Sequence, residues 1–173
     1  LNAHEAQVST LPLFSSLVSK AGYSSLTPHK LEILQINVGK LCNQSCAHCH
    51  VDAGPDRTEV MTKELLQKCL EVIERYAIPT VDITGGAPEL NPYFRWFVSE
   101  CKKLGCHIIN RCNLTIIVSN PKYHYLPDFF AAHQVQLICS LPHFSKLRTD
   151  HQRGDGVFDD SIRAIQMLNQ VGY

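Results

Sequence analysis

Cys42, Cys46 and Cys49 stand close together in the stretch NVGKLCNQSCAHCHVDAGP, with the spacing C-x3-C-x2-C. Two kinds of chemistry use three thiols on one short loop. With His48 or His50 as a fourth donor, the loop would close a tetrahedral zinc site, which accepts three sulfurs and an imidazole. The other possibility is an iron–sulfur cluster. A four-iron cube normally takes four cysteines, so three would leave one iron open to a ligand from outside the protein. A closed zinc clip can sit anywhere on a fold, whereas an open cluster has to face a binding site. The elements that carry the loop therefore bear on the choice.

Those elements alternate. LEILQINVG, residues 31–39, has Leu34, Ile36 and Val38 on one side and Gln35 and Asn37 on the other, the period of a strand. TKELLQKCLEVIERY, residues 62–76, repeats its apolar residues at helical spacing. TVDITGG (80–86) reads as a second strand ending in paired glycines, and PYFRWFVSECKKLG (92–105) as a second helix with Pro near its start and Gly at its end. HIINRCNL (107–114), PDFFAAHQ (127–134), VQLICSLP (135–142) and DDSIRAIQMLNQVG (159–172) continue as strand, short helix, strand and helix. The last of these is expected to open on an Asp cap and close at Gly172.

The pattern predicts an α/β fold of four strand–helix units with a parallel sheet. A leader with a short helix occupies 1–30, and the core occupies 31–173. In a doubly wound sheet, helices cover both faces and strands read apolar on both sides. Here each strand keeps one polar face: Gln35 and Asn37, Asp82 and Thr84, Arg111 and Asn113, Gln136 and Ser140. That suits the lumen of a partial, TIM-like (β/α) barrel, whose chemistry sits at the C-terminal ends of the strands. The cysteine loop, the glycine pair, Asn113 and Ser140 all fall on that rim. Full barrels of this kind run to roughly 250 residues, so the chain reads as the front part of a longer protein.

Composition narrows the function classes. Lys plus Arg and Asp plus Glu are 16 each, which gives no electrostatic pull toward nucleic acid or anionic lipid. No apolar run has the length of a membrane span. Eight cysteines in a chain of 173 residues are too sparse for a disulfide scaffold. Tight spacing in a core-rich chain suits a reducing compartment: the cytoplasm, or an organelle if a targeting segment has been removed.

C-x3-C-x2-C after the first strand and GG-x-P after the second resemble the radical S-adenosylmethionine (SAM) enzymes. The resemblance implies a 4Fe–4S cluster on Cys42, Cys46 and Cys49. The unligated iron would hold the amino and carboxylate groups of SAM, whose reductive cleavage yields a 5′-deoxyadenosyl radical. It implies that His48 lies by the adenine, that the backbone of Gly85, Gly86, Ala87 and Pro88 holds the SAM amino group, and that Ser140 meets the ribose. The family often has Glu where this chain has Ala87. The runs LQINVGKLCNQSCAHCHVDAGPDR, DITGGAPELNPYFRWF, RCNLT and QRGDGVFDDSI are together similar to the arsenosugar-biosynthesis branch. That implies a small-molecule substrate, a dimethylated trivalent arsenical that receives the deoxyadenosyl group, and an electron donor such as a flavodoxin or ferredoxin. That branch carries a further C-terminal domain, and a Cys after SLP where this chain has His143. Two other readings are a radical SAM enzyme modifying a peptide or metabolite, and a zinc- or iron–sulfur-stabilised binding protein.

The other polar and sulfur side chains divide by position. Cys69 and Cys101 lie on apolar helix faces, Cys112 and Cys139 have helix-facing parity, and Cys106 sits in a turn, all readings of buried or incidental thiols. Asn113 has lumen parity and is equally a ribose or substrate ligand and a turn residue. His50 and Asp52 are expected to cap the loop, with hydrogen bonds to cluster sulfurs as the alternative. Glu89 is expected to serve the dipole of the following helix, with a place facing SAM as the alternative. QRGDGVFDD, with Arg153, reads as an ordinary loop, with anion binding at a helix start as the alternative.

Overall fold

The computed structural model describes residues 12–23 and 30–173. The sequence divides into two compact units, 1–31 and 32–173. In the first, helix α1 spans Phe14–Lys20. The rest of the expected leader, residues 1–11 and 24–29, lies outside the described residues.

The second unit contains strands β1 (Ile33–Asn37), β2 (Thr80–Thr84), β3 (His107–Cys112) and β4 (Gln136–Cys139). All are parallel and lie in the order β1-β2-β3-β4. The helices are α2 (Lys63–Tyr76), α3 (Phe94–Lys103), α4 (Thr115–Ser119), α5 (Leu126–His133), α6 (Lys146–Arg153) and α7 (Val157–Gln170). Sequential strand order without a reversal keeps the crossover helices on one face, as in a (β/α) barrel. The fold is therefore the expected partial barrel.

One face of the sheet is apolar. Ile36, Val81, Ile83 and Ile108 form the core with Leu66, Leu70 and Ile73 of α2, Phe97 and Val98 of α3, Phe130 of α5 and Leu168 of α7. Each such side chain contributes about 1.5–3 kcal/mol on burial. The opposite face carries a polar network. Asp82 accepts from Gln35 Nε2 at 2.8 Å and from Arg111 Nε and Nη2 at 3.0 and 2.8 Å. Burial pushes the Asp82 carboxyl up. The Arg111 and Gln35 hydrogen bonds outweigh that and hold it below the usual range.

Three elements differ from expectation. The helix placed at 159 begins at Val157, with Gly156 in the left-handed region. Its orphan amide at Phe158 donates to Asp150 Oδ1 of α6 at 2.8 Å. The cap comes from the preceding helix, and Asp159 and Asp160 fall in the first turn, where they favour the dipole. Helix α6, KLRTDHQR, has no apolar stripe to announce it. Helix α4, TIIVS, is five residues rich in β-branched side chains and is held helical by burial of Thr115, Ile116 and Ile117.

Candidate cofactor site at the sheet rim

The chain leaves β1 at Asn37 and returns to the sheet at Met61, whose amide donates to the Val38 carbonyl at 2.9 Å. Between them the cysteine loop is tied at its base. Lys40 N–H donates to Glu59 O at 2.8 Å, Gly54 N–H to Lys40 O at 3.1 Å and Cys42 N–H to Gly54 O at 3.0 Å. The Asn91 carboxamide locks both strands of this base by donating to Val38 O and Met61 O. Farther out, Cys49 N–H donates to Cys46 O at 3.1 Å, and Ala53 N–H points at Cys49 Sγ at 3.3 Å. Asp52 takes φ 53 and pairs with Arg57 at 3.0 Å on the outside of the loop.

The turn after β2 docks onto this loop. Gly86 N–H donates to Gly39 O at 3.0 Å and Ala87 N–H to Leu41 O at 2.9 Å. A Cβ on Gly85 would fall 2.7 Å from Gly39 O, and one on Gly86 would fall 2.5 Å from Leu41 O. Gly85 also takes φ 151, which other residues rarely adopt. The cysteine loop packed against the glycine pair thus demands glycine at both positions, beside the pocket that the pair also lines.

On the other side, a polar chain joins the loop to β3 and α6. Arg153 Nη2 donates to Gln44 Oε1 at 2.8 Å and to Asn113 Oδ1 at 3.0 Å. Asn113 Nδ2 donates to Asn43 Oδ1 at 2.8 Å and lies 3.7 Å from Cys42 Sγ. Asn43 Nδ2 in turn donates to Thr115 Oγ1 at 2.9 Å, and Ala47 N–H donates to Gln152 O at 3.2 Å. Arg153 and Gln44 are both 8% exposed. Two of their donors, Arg153 Nε and Gln44 Nε2, are buried without a partner among the described residues.

Loop, turn and polar chain border an open pocket of about 200 Å³. Of the residues singled out in the sequence, Cys42, Cys46, Cys49, His48, His50, Gly85, Gly86, Asn113, Ser140 and Arg153 line it. Ala87 and Pro88 do not. Both are buried, and Ala87 borders a small separate void with Val38 and Leu41. Glu89 is also absent from the pocket and from the helix-start role, because its side chain turns under the sheet to Asn110. His143 stays outside as well: its Nδ1 accepts from Ser145 N–H at 2.8 Å and its ring stacks on Phe144. Cys101, Cys106 and Cys112 are buried, as expected, and Cys69 is partly covered. Cys139 shares the helix-facing side of the sheet with its register partner Cys112, yet it is exposed, because β4 forms the sheet edge. Arg111 and Thr84, expected on the polar lumen face, line the pocket too, and Gln44 joins them without having been singled out.

Burial dominates the electrostatics of the Cys42 and Cys46 thiols. Burial pushes the Cys42 thiol up, opposed by the Gln44 amide, Asn113 and Arg153. Burial likewise raises Cys46, with Arg153 opposing it. Ligation therefore has to displace protons, and Arg153 supplies positive charge beside the sulfurs. Among the described residues, no set of three or more Cys, His, Asp or Glu side chains gathers around one point as a single ion requires.

Fold and pocket together define a class: a parallel (β/α) half-barrel whose first loop brings three thiols to one pocket at the C-terminal rim. Residues 36–173 match the Radical SAM superfamily, and the chain belongs to that superfamily. Its cofactors are a 4Fe–4S cluster and SAM. A probable GTP 3′,8-cyclase of Saccharolobus islandicus strain M.14.25 is 31% identical over 142 residues, 82% of this chain and 45% of the relative. A probable GTP 3′,8-cyclase of Pyrococcus horikoshii is 37% identical over 57 residues, 33% of this chain and 18% of that protein. The chain thus spans less than half the length of these curated relatives. Among solved structures, Streptococcus suis SuiB bound to SAM matches with a TM-score of 0.67 at 18% identity, over 91% of this chain and 34% of that one. The anSMEcpe structure with bound AdoMet matches at 0.68 and 17%, over 83% of this chain and 41% of that one. At these identities the likeness is one of fold. The residues present fit the two cofactors: three thiols and a glycine turn face one pocket, and two buried N–H donors there lack acceptors.

Proposed function

We propose that this chain forms the cofactor-binding part of a radical SAM enzyme, with Cys42, Cys46 and Cys49 as cluster ligands. The observation that carries this reading is that all three thiols line one pocket with Gly85, Gly86 and Arg153 at the C-terminal rim of the sheet. When bound, the cluster and SAM supply the 5′-deoxyadenosyl radical. The chain's own residues place and shield these groups. His48, Gly85, Gly86, Asn113 and Ser140 border the space for SAM, and Ala87 and Pro88 support the turn from behind. Arg153 and Gln44 offer unpaired N–H groups to an anionic part of the ligands. The Gln35–Asp82–Arg111 network floors the lumen beside the pocket, where a substrate would approach.

For the substrate we infer a dimethylated trivalent arsenical, joined through arsenic to the 5′ carbon of deoxyadenosine. The long run around Cys42–Pro55, with RCNLT and QRGDGVF, supports it. A second reading, radical cyclisation of a purine nucleotide, is favoured by the names of the curated relatives. An electron donor such as a flavodoxin or ferredoxin completes either reaction, and the cytoplasm suits its thiol chemistry. Among the described residues, no helix is long and apolar enough to cross a membrane. The test incubates the full-length, anaerobically reconstituted protein with reductant, SAM and either dimethylarsinous acid or GTP. An arsenic-containing deoxyadenosyl adduct supports the first reading, and a cyclised nucleotide the second. Free 5′-deoxyadenosine alone, with both candidates, would remove both substrates and leave the superfamily chemistry.

A further inference from the structure

Beneath the glycine turn lies a carboxyl that the proposed chemistry does not use. Glu89 follows Pro88 in a 3-10 turn, Pro88–Leu90, and is 4% exposed. Its side chain runs to the helix-facing side of the sheet, where Asn110 of β3, itself 0% exposed, donates from Nδ2 to Glu89 Oε1 at 2.7 Å. The second oxygen of the carboxyl, Oε2, and the second polar atom of the carboxamide, Oδ1, are both buried without a partner.

These two orphans are chemically complementary in one protonation state. An ionised carboxylate only accepts, so Oδ1 would lack a donor and the carboxylate would gain, beyond Asn110, only the weak thiol donor of Cys112. A carboxylic acid carries one O–H. Placed on Oε2, that hydrogen can donate to Asn110 Oδ1 while Nδ2 donates to Oε1. The two groups then form a cyclic acid–amide pair with both orphans satisfied. Burial acts in the same direction, pushing the Glu89 carboxyl up from the usual glutamate range. The titratable groups around it are Cys112 of β3, Cys139 of β4 and Tyr125 before α5, and none of them is a cation.

The position of this pair gives it a role. The segment from Gly85 to Leu90 is held from the pocket side by the Gly86 and Ala87 amides, which donate to the cysteine loop. From beneath, Glu89 ties the same segment to β3. We propose that Glu89 is the positioning residue of the SAM-facing turn: a carboxylic acid that pairs with the Asn110 carboxamide and clamps Gly85–Leu90 onto the sheet. This rests on the reading of that turn as part of the SAM site. Glu89 touches neither cofactor and acts through the turn.

The test compares Glu89→Gln and Glu89→Leu with wild type in the cluster-loaded full-length protein. Glutamine reproduces both hydrogen bonds to Asn110 and should leave SAM affinity within about twofold. Leucine leaves the Asn110 carboxamide unpaired and should weaken SAM about tenfold or more, compared at equal iron and sulfide content. Infrared spectra of the apo and loaded proteins near neutral pH should contain the carbonyl stretch of a protonated carboxylic acid, absent in Glu89→Gln. Stability should also carry a signature. The contribution of a raised carboxyl is complete below the usual glutamate range and is lost as pH rises through its native value, so Glu89→Gln should flatten that decline. Wild-type SAM affinity in a folded Glu89→Leu, or equal loss in Glu89→Gln and Glu89→Leu, overturns the proposal. If Glu89→Leu does not fold, Glu89→Gln and the infrared band decide it: a missing band or an impaired glutamine variant overturns it. Amide exchange at Gly85–Ala87 separates the underlying reading. Unchanged protection there on SAM addition means that the turn does not meet SAM, whatever the band shows about the acid–amide pair.

Discussion

A Cβ on Gly86 would lie 2.5 Å from the carbonyl oxygen of Leu41, one residue before Cys42. The glycine turn and the cysteine loop are therefore one packed unit, and their two ligands are mechanically linked. Gly86→Val should lower iron content as well as SAM affinity. Metal analysis after anaerobic reconstitution checks this; full iron content with only SAM affinity reduced would mean that the two elements act separately.

Arg153 bridges Gln44 and Asn113 and has no carboxylate partner among the described residues. Arg153→Met should cost about 2 kcal/mol of stability from lost charged hydrogen bonds and loosen the loop, with reduced cluster loading. Both bonds leave the single nitrogen Nη2, which a Lys ammonium can replace, but Lys lacks the planar group and the buried Nε donor, so Arg153→Lys should rescue loading only in part. Denaturant unfolding and iron counts check both; loading by Arg153→Lys at the wild-type level would show that charge alone suffices.

The Asp82–Arg111–Gln35 network predicts an acid limb in the stability profile. Asp82 is held below the usual carboxylate range, so its contribution is present above the unfolded value and is lost as pH falls through the native one. Asp82→Asn should flatten that limb and leave stability near neutral pH lower. Arg111 is 44% exposed, so the effect is modest and shrinks with salt. Thermal midpoints across acidic pH, in wild type and variant, measure it.

Much of this was legible in the sequence because burial writes period-two and helical patterns into strands and long helices. Gln35, Asp82 and Arg111 alternate with core residues, which gave the polar lumen and hence the half-barrel. The cysteine spacing gave the loop. Helix α6 escaped because KLRTDHQR buries almost nothing apolar, and α4 because its β-branched residues favour strand locally while burial decides otherwise. Glu89 was assigned to the wrong partner because its hydrogen bond to Asn110 spans 21 residues, a contact no local pattern encodes. The packing of Gly86 on Leu41 was hidden for the same reason: the sequence demands a glycine without saying that the chain itself crowds it.

The central claim is that Cys42, Cys46 and Cys49 hold a cluster with one iron open to SAM. Electron paramagnetic resonance of the dithionite-reduced, anaerobically reconstituted protein, with and without SAM, tests it most directly. The account predicts a reduced 4Fe–4S signal that changes on SAM addition, is lost in Cys42→Ala, Cys46→Ala and Cys49→Ala, and persists in Cys69→Ala. A wild-type signal that SAM leaves unaltered, or one that survives in Cys46→Ala, would contradict it.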